Sequence, residues 1–140
     1  MREILFRGKR KLNGEWINGS LLVYGDGDCE ICVPDGCDAL DKFRVEPDTV
    51  GQYTGLTDKN GKKIFEGDIV HILGNQQVED WKNVDYIALI AFLDGGFCAI
   101  DGTINDHAFR RYALARMDFD LEVIGNIYDN PELLGGADNG

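Results

Sequence analysis

Apolar residues in this chain come in short runs, and most runs alternate with polar residues instead of recurring every three or four positions. That period of two predicts strands. Ile4-Leu5-Phe6 opens the series and Leu21 to Tyr24 continues it; Val50 to Leu56 is strand-like. Asp68 to Ile72 sets Ile69 and His71 on one face and Asp68, Val70 and Ile72 on the other. Tyr86 to Leu93 is apolar nearly throughout, which predicts a central, buried strand; Asp94-Gly95 or Gly95-Gly96 should turn it back into Phe97 to Ile100. Asn13-Gly14 and Asn60-Gly61 read as tight turns, because both residue types accept positive φ cheaply. Asn18-Gly19 is also a turn signal, but only Glu15-Trp16-Ile17 separates it from Asn13-Gly14, so it is assigned a bulge or bend. Leu121 to Tyr128 is the closing strand, bent at Gly125, and Asn130-Pro131-Glu132-Leu133-Leu134 begins one helical turn with proline at its first position. The best helix candidate is Asn105 to Met117. Asn105 serves as N-cap, and Phe109, Tyr112, Ala113 and Arg116 follow helical spacing; an extended, hairpin-like course is the alternative.

Residues 50–72 hold the most connected pattern: a strand, a turn at Asn60-Gly61, an apolar step at Ile64-Phe65 ended by Gly67, then a second strand. This stretch resembles the signature of the YopX family of phage and prophage proteins. Arg2-Glu3-Ile4-Leu5-Phe6-Arg7-Gly8 with Asn13-Gly14-Glu15-Trp16 resembles the family's opening, Phe92-Leu93-Asp94-Gly95-Gly96-Phe97 its later hairpin, and Glu122 to Leu134 its closing motif. The resemblance covers most of the chain. It implies a fold and a phage context, and it brings no catalytic residue to map. Together with the hairpin pattern it leads to a predominantly β, α+β domain: a small SH3-like β-barrel with hairpins and one short helix, built around 50–72 and 86–101. One domain over 1–134 with a disordered tail at 135–140 is expected. The 18 glycines in 140 residues favour many turns and short strands.

Charge narrows the partners. At a net −11, the molecule as a whole is a poor ligand for DNA, RNA or anionic membranes, since binding to phosphate rests on its neutralisation. No apolar run reaches the roughly 18–20 residues of a membrane span, and the amino terminus lacks the apolar segment of a secretory signal. Four cysteines fit a reducing compartment, so a cytoplasmic setting in a host cell is expected. Cys29-x-x-Cys32 looks like part of a strand, where residues three apart point to opposite faces; the reading is structural thiols over a zinc or redox site.

Within this acidic chain, charges separate along the sequence: a basic opening with Arg2, Arg7, Lys9, Arg10 and Lys11, a strongly acidic 25–48, and a basic 110–116. The opening reads as a solvated hairpin edge or, more sharply, as a patch that docks on an acidic surface. Residues 25–48 read as an acidic loop or hairpin. Calcium loops starting at Asp26 or Asp58 fail for want of glycine at position six and glutamate at twelve. His107 with Arg110, Arg111 and Arg116 is a solvated face or an anion site. The candidate interaction residues are Arg7, Lys9, Arg10, Trp16, Tyr53, Asp68 and Trp81. Asp68 after Gly67 more simply accepts main-chain N–H bonds at the start of a strand. No nucleotide-binding loop, nucleophile elbow or zinc-protease motif is present, and neither cofactor nor metal is implied. The expectation is a non-enzymatic accessory protein that forms homo-oligomers and binds a host or phage protein, with no direct nucleic-acid or membrane contact. Two alternatives stand beside it: an acidic nucleic-acid mimic that occupies a host DNA-binding protein, and an enzyme or metal protein that uses the cysteines or Asp68.

Overall fold

Among the residues that the computed structural model describes, which are 2–74, 85–101, 111–114 and 120–134, eleven strands carry the fold. The chain divides into two compact units, Met1–Gly55 and Leu56–Gly140.

The first unit holds β1 (Phe6–Lys9), β2 (Trp16–Val23), β3 (Cys29–Pro34), β4 (Leu40–Val45) and the start of β5 (Gly51–Thr57). They pair antiparallel in the order β4-β3-β2-β1-β5. Asn13-Gly14 makes the expected turn, with Gly14 at φ +74 and its N–H donating to the Arg10 carbonyl at 2.9 Å. Asn18-Gly19 forms no bulge. It lies in an unbroken ladder in which Arg7 faces Asn18 and Phe6 faces Gly19. Its glycine answers to a different need: a Cβ there would sit 2.3 Å from the Cys32 carbonyl oxygen of β3. Ile31 and Val45, both fully buried, and Cys29 form the core of this unit, with Phe6, Ile17 and Leu21 packed on it. Gly8 lets β1 approach the same core, since a Cβ would be 2.9 Å from Val45. The end of β4 therefore curls back to β1. Arg10 bridges Val45, the Glu46 N–H donates to the Lys9 carbonyl at 2.8 Å, and the Lys11 N–H donates to the Arg44 carbonyl at 3.0 Å. Thr49 fixes the corner: its Oγ1 accepts from the Lys9 N–H at 2.9 Å and donates to the Glu46 carbonyl at 2.6 Å.

The second unit holds the end of β5, then β6 (Lys63–Phe65), β7 (Asp68–Leu73), β8 (Asp85–Leu93), β9 (Gly96–Asp101), β10 (Arg111–Ala113) and β11 (Asp120–Asn126). Five of these form an antiparallel sheet in the order β10-β9-β8-β7-β11. Asp94 at φ 52 and Gly95 at φ 81 make the two-residue β8–β9 hairpin, the primed turn that matches strand twist. Strand β8 is central, as expected, but its burial is uneven. Ala88 and Ile90 are fully covered with Val70, Ile72 and Ala99 in the core, whereas Ile87 and Leu89 on its other face are half-buried. Gly125 follows a register shift in β11 that answers to the expected bend, and Pro131–Leu134 forms one 3-10 turn.

Two further expectations are corrected. The described strands form antiparallel sheets and no closed SH3-like barrel; the curl of β4 onto β1 ends in a single bridge instead of a ladder. The helix expected over Asn105–Met117 gives way at Arg111–Ala113 to β10, paired in register with Cys98 to Ile100. Its apolar stripe was narrow, and a sheet edge offering hydrogen bonds overrides so weak a helical preference. The rest of that segment, Trp81 and the 135–140 tail lie outside the described residues apart from buried Leu114. No helix among the described residues is long and apolar enough to cross a membrane.

All four thiols are free, with Cys29, Cys32 and Cys98 buried and Cys37 exposed. Cys29 and Cys32 lie on β3, where Cys29 joins the core with Ile31. Brief treatment of the native protein with iodoacetamide should therefore alkylate Cys37 alone, read by peptide mass spectrometry. Equal labelling of Cys29 or Cys32 would contradict their burial.

Candidate interaction surface

The β1–β2 hairpin sorts its basic residues by strand alternation. Arg7 and Lys9 share one face, and their partners across the ladder are Asn18 and Trp16. The Arg7 guanidinium carbon lies 5.0 Å from the Trp16 ring centre and the Lys9 ammonium 5.9 Å, so the indole carries two cations over its face. Arg10 has the opposite parity. Its guanidinium carbon sits 4.6 Å from the ring centre of Phe43 on β4. The sequence read Arg7, Lys9 and Arg10 as parts of one basic opening; alternation divides them between two aromatic platforms, Trp16 and Phe43.

The second platform floors an open groove of about 400 Å³ lined by Arg10, Lys11, Leu12, Lys42, Phe43 and Arg44. Two acidic side chains of the same unit answer its four cations. Glu15 lies 3.7 Å from Arg10. Asp28 reaches Arg44 at 2.5 Å through one oxygen and Lys11 at 3.8 Å through the other. Among the described residues Lys42 makes no ion pair. Leu12 is 82% exposed at the lip. Such solvent-facing pairs hold their partners weakly, so an incoming carboxylate can compete for them.

The groove's far wall was hidden in the sequence. Lys42, Phe43 and Arg44 fall in a segment read by its acidic sum, and their contact with Arg10 needs the β3–β4 register that sets Phe43 opposite Ile31. The alternation of Leu40-Asp41-Lys42-Phe43-Arg44-Val45 was the available signal.

Three other candidates take different places. Tyr53 is 8% exposed, and its N–H donates to the Leu5 carbonyl at 2.8 Å. Asp68 is 1% exposed, and its Oδ2 accepts the Phe65 N–H at 2.8 Å. Trp81 is outside the described residues.

The second unit holds two polar constellations that sequence reasoning missed. Asp58 Oδ1 accepts the N–H groups of Asn60 and Lys62, both at 2.9 Å, and its Oδ2 accepts that of Val123 at 3.0 Å. Burial alone would push this carboxyl up, but the main-chain donors of Val123, Lys62 and Asn60, with the Lys62 charge, outweigh it and hold its pKa below the ordinary value. Asp58 thus ties the 58–62 turn to β11. On β7, His71 Nε2 lies 2.7 Å from Asp85 Oδ1, with Glu122 across the ladder on β11. Glu122 itself is engaged by Asn60 Nδ2 at 3.2 Å and Lys59 at 3.9 Å. Among the described residues no three His, Cys, Asp or Glu side chains are grouped to hold a metal ion.

The family model for the YopX protein matches residues 5–135, which spans both units. The chain belongs to the YopX family. Among solved structures, this YopX-family chain is similar to protein yopX from Bacillus subtilis, with 20% identity and a TM-score of 0.59 over 95% of this chain and 98% of that one. It is also similar to protein EF1440 from Enterococcus faecalis, with 25% identity and a TM-score of 0.53 over 96% and 99% of the two chains. No curated protein matches it. These likenesses show that the YopX fold runs nearly the full length of all three chains, and they assign no activity.

Proposed function

We propose that this YopX-family protein is a non-enzymatic, self-associating protein-binding module, an accessory protein of phage or prophage origin that works in the host cytoplasm. In this reading residues 1–134 act as one functional domain. The observation that carries it is charge segregation: a chain of net −11 gathers four cations around Phe43 in one open groove. A cationic groove on an acidic molecule is complementary to other acidic proteins, its own copies included. Arginine beside an aromatic ring is the composition that contact surfaces favour. The phage setting rests on the family resemblance, and the cytoplasmic setting on free thiols that suit a reducing compartment.

Sedimentation velocity over a concentration series, in low and in high salt, tests the association. Oligomers that dissociate as salt rises are the expected result, because surface charge pairs are screened. A monomer at every concentration and salt would remove self-association. Capture from a host lysate treated with nuclease tests the protein-binding part; a partner recovered only through nucleic acid would count against it.

A further inference from the structure

Strand β4 carries opposite charges at its two ends. Its carboxyl end supplies Lys42, Phe43 and Arg44 to the groove. Its amino end leads from the β3–β4 hairpin tip, Asp35 to Ala39, into Leu40 and Asp41. The tip is closed by its own hydrogen bonds. Asp35 Oδ1 accepts the Cys37 N–H at 2.7 Å and the Ala39 N–H at 3.3 Å, and the Asp35 N–H donates to the Ala39 carbonyl at 3.0 Å. Gly36 and Asp38 take positive φ, 87 and 64, to close the turn. Asp38, Leu40 and Asp41 are exposed, Leu40 to 58%. Among the described residues the carboxylates of Asp38 and Asp41 enter no hydrogen bond or ion pair.

We propose that the groove of one copy receives the acidic hairpin tip of a second copy, with Asp38 and Asp41 against Lys42 and Arg44 and with Leu40 against Phe43 and Leu12. This deepens the self-association reading and rests on it. Both surfaces belong to the same unit, and each offers what the other lacks: on the tip an exposed leucine and carboxylates that are unpaired among the described residues, in the groove a ring, an exposed leucine and an ammonium unpaired among the described residues. A tip cannot fill its own groove. Asp38 lies six residues before Arg44, roughly 20 Å away at ~3.3 Å per residue of extended chain, and Asp41 and Lys42, neighbours on β4, point to opposite faces of the strand. The contact therefore forms between copies: two copies that exchange tips reciprocally close as a two-fold dimer, and a one-way contact runs head-to-tail into a ring or a filament.

Asp28 gives this arrangement an internal competitor. It places a carboxylate on Lys11 and Arg44, where the incoming acid would bind. Asp28→Asn keeps the side chain's shape and the main-chain bonds at that turn, yet releases both cations. It should tighten association several-fold, which damage to the fold would not do.

The test uses the full chain and charge reversal on each side. Lys42→Glu with Arg44→Glu, and separately Asp38→Lys with Asp41→Lys, should each weaken association by about tenfold or more, one decade being 1.4 kcal/mol of lost contact. Mixing the two variants should restore a hetero-oligomer, since each keeps one intact surface and the reversed faces now repel only their own kind. Circular dichroism checks that both variants are folded. Should either unfold, the exposed Cys37 supplies a second route: a Lys42→Cys variant should form a Cys37-linked disulfide ladder between copies under mild oxidation, lost in Lys42→Cys with Cys37→Ser. Wild-type oligomers indifferent to both reversals, or a ladder that persists without Cys37, would place the interface elsewhere and overturn this contact while leaving self-association standing. A strictly monomeric wild type would overturn both.

Discussion

Replacing Asp58 with alanine should destabilise the protein by roughly 3–5 kcal/mol, because three main-chain donors lose a charged acceptor at once. Asp58 is 7% exposed, so water cannot freely replace the carboxylate. Two donors, Asn60 and Lys62, belong to its own turn and the third, Val123, comes from β11, 65 residues away. The loss therefore falls on a long-range tie as well as on the turn. Asp58→Asn should recover only part of it, since an amide has one acceptor oxygen and would point its NH₂ at an N–H group. The effect should also depend on pH in a definite sense. The folded-state pKa of Asp58 lies below its ordinary 3.8. Its contribution is fully present above the unfolded-state value and is lost as pH falls through the folded one. The stability gap between wild type and Asp58→Ala, measured by urea denaturation at pH 7 and then at steps below pH 4, should shrink on acidification. A gap that held constant to the lowest pH would show that the carboxylate charge does not hold the turn.

Asp58 also marks how far the sequence could be read. Local chemistry was legible: Asp94-Gly95-Gly96 marked a turn that the structure places at Asp94-Gly95, Asn13-Gly14 turned β1 toward β2, and the alternation from Asp68 to Ile72 set the faces of β7. What stayed hidden needed partners distant in the chain. As a calcium-loop candidate Asp58 failed on spacing, and its role as an acceptor for Val123 depends on β11 lying beside β7. The groove is hidden for the same reason. Arg10 and Phe43 meet only because three successive antiparallel registers bring β4 back to β1. Summing charge over 25–48 hid the two cations of β4 under their acidic neighbours. Asn18-Gly19 shows the opposite error, where a strong local turn signal belonged to a glycine required by its neighbour strand.

That glycine carries the other large expected effect. Gly19→Ala should destabilise the protein by about 3 kcal/mol, at the upper end of the cost of overpacking. An added Cβ would meet the Cys32 carbonyl oxygen at 2.3 Å and the Ile31 Cγ2 at 2.9 Å, closer than unstrained contacts allow. The obstacle is main chain, and β3 is held on both edges, by β2 from Ser20 to Val23 and by β4 from Leu40 to Val45, so it cannot withdraw without breaking a ladder. Relief therefore has to come from shifting β3 and with it β4, which carries Lys42, Phe43 and Arg44. Salt-sensitive association should weaken together with stability, although Gly19 is not among the groove's lining residues. Gly25→Ala is the matched control in the same unit: nothing lies within 4 Å of its added Cβ, and its effect on urea midpoint should stay within about 0.5 kcal/mol. Equal midpoints for the two variants would mean that β2 and β3 have room to part at Gly19. The positions of β4 and of the groove would then not depend on that close approach, and the two aromatic platforms would have to be held apart by the Arg10–Val45 bridge and the Thr49 corner alone.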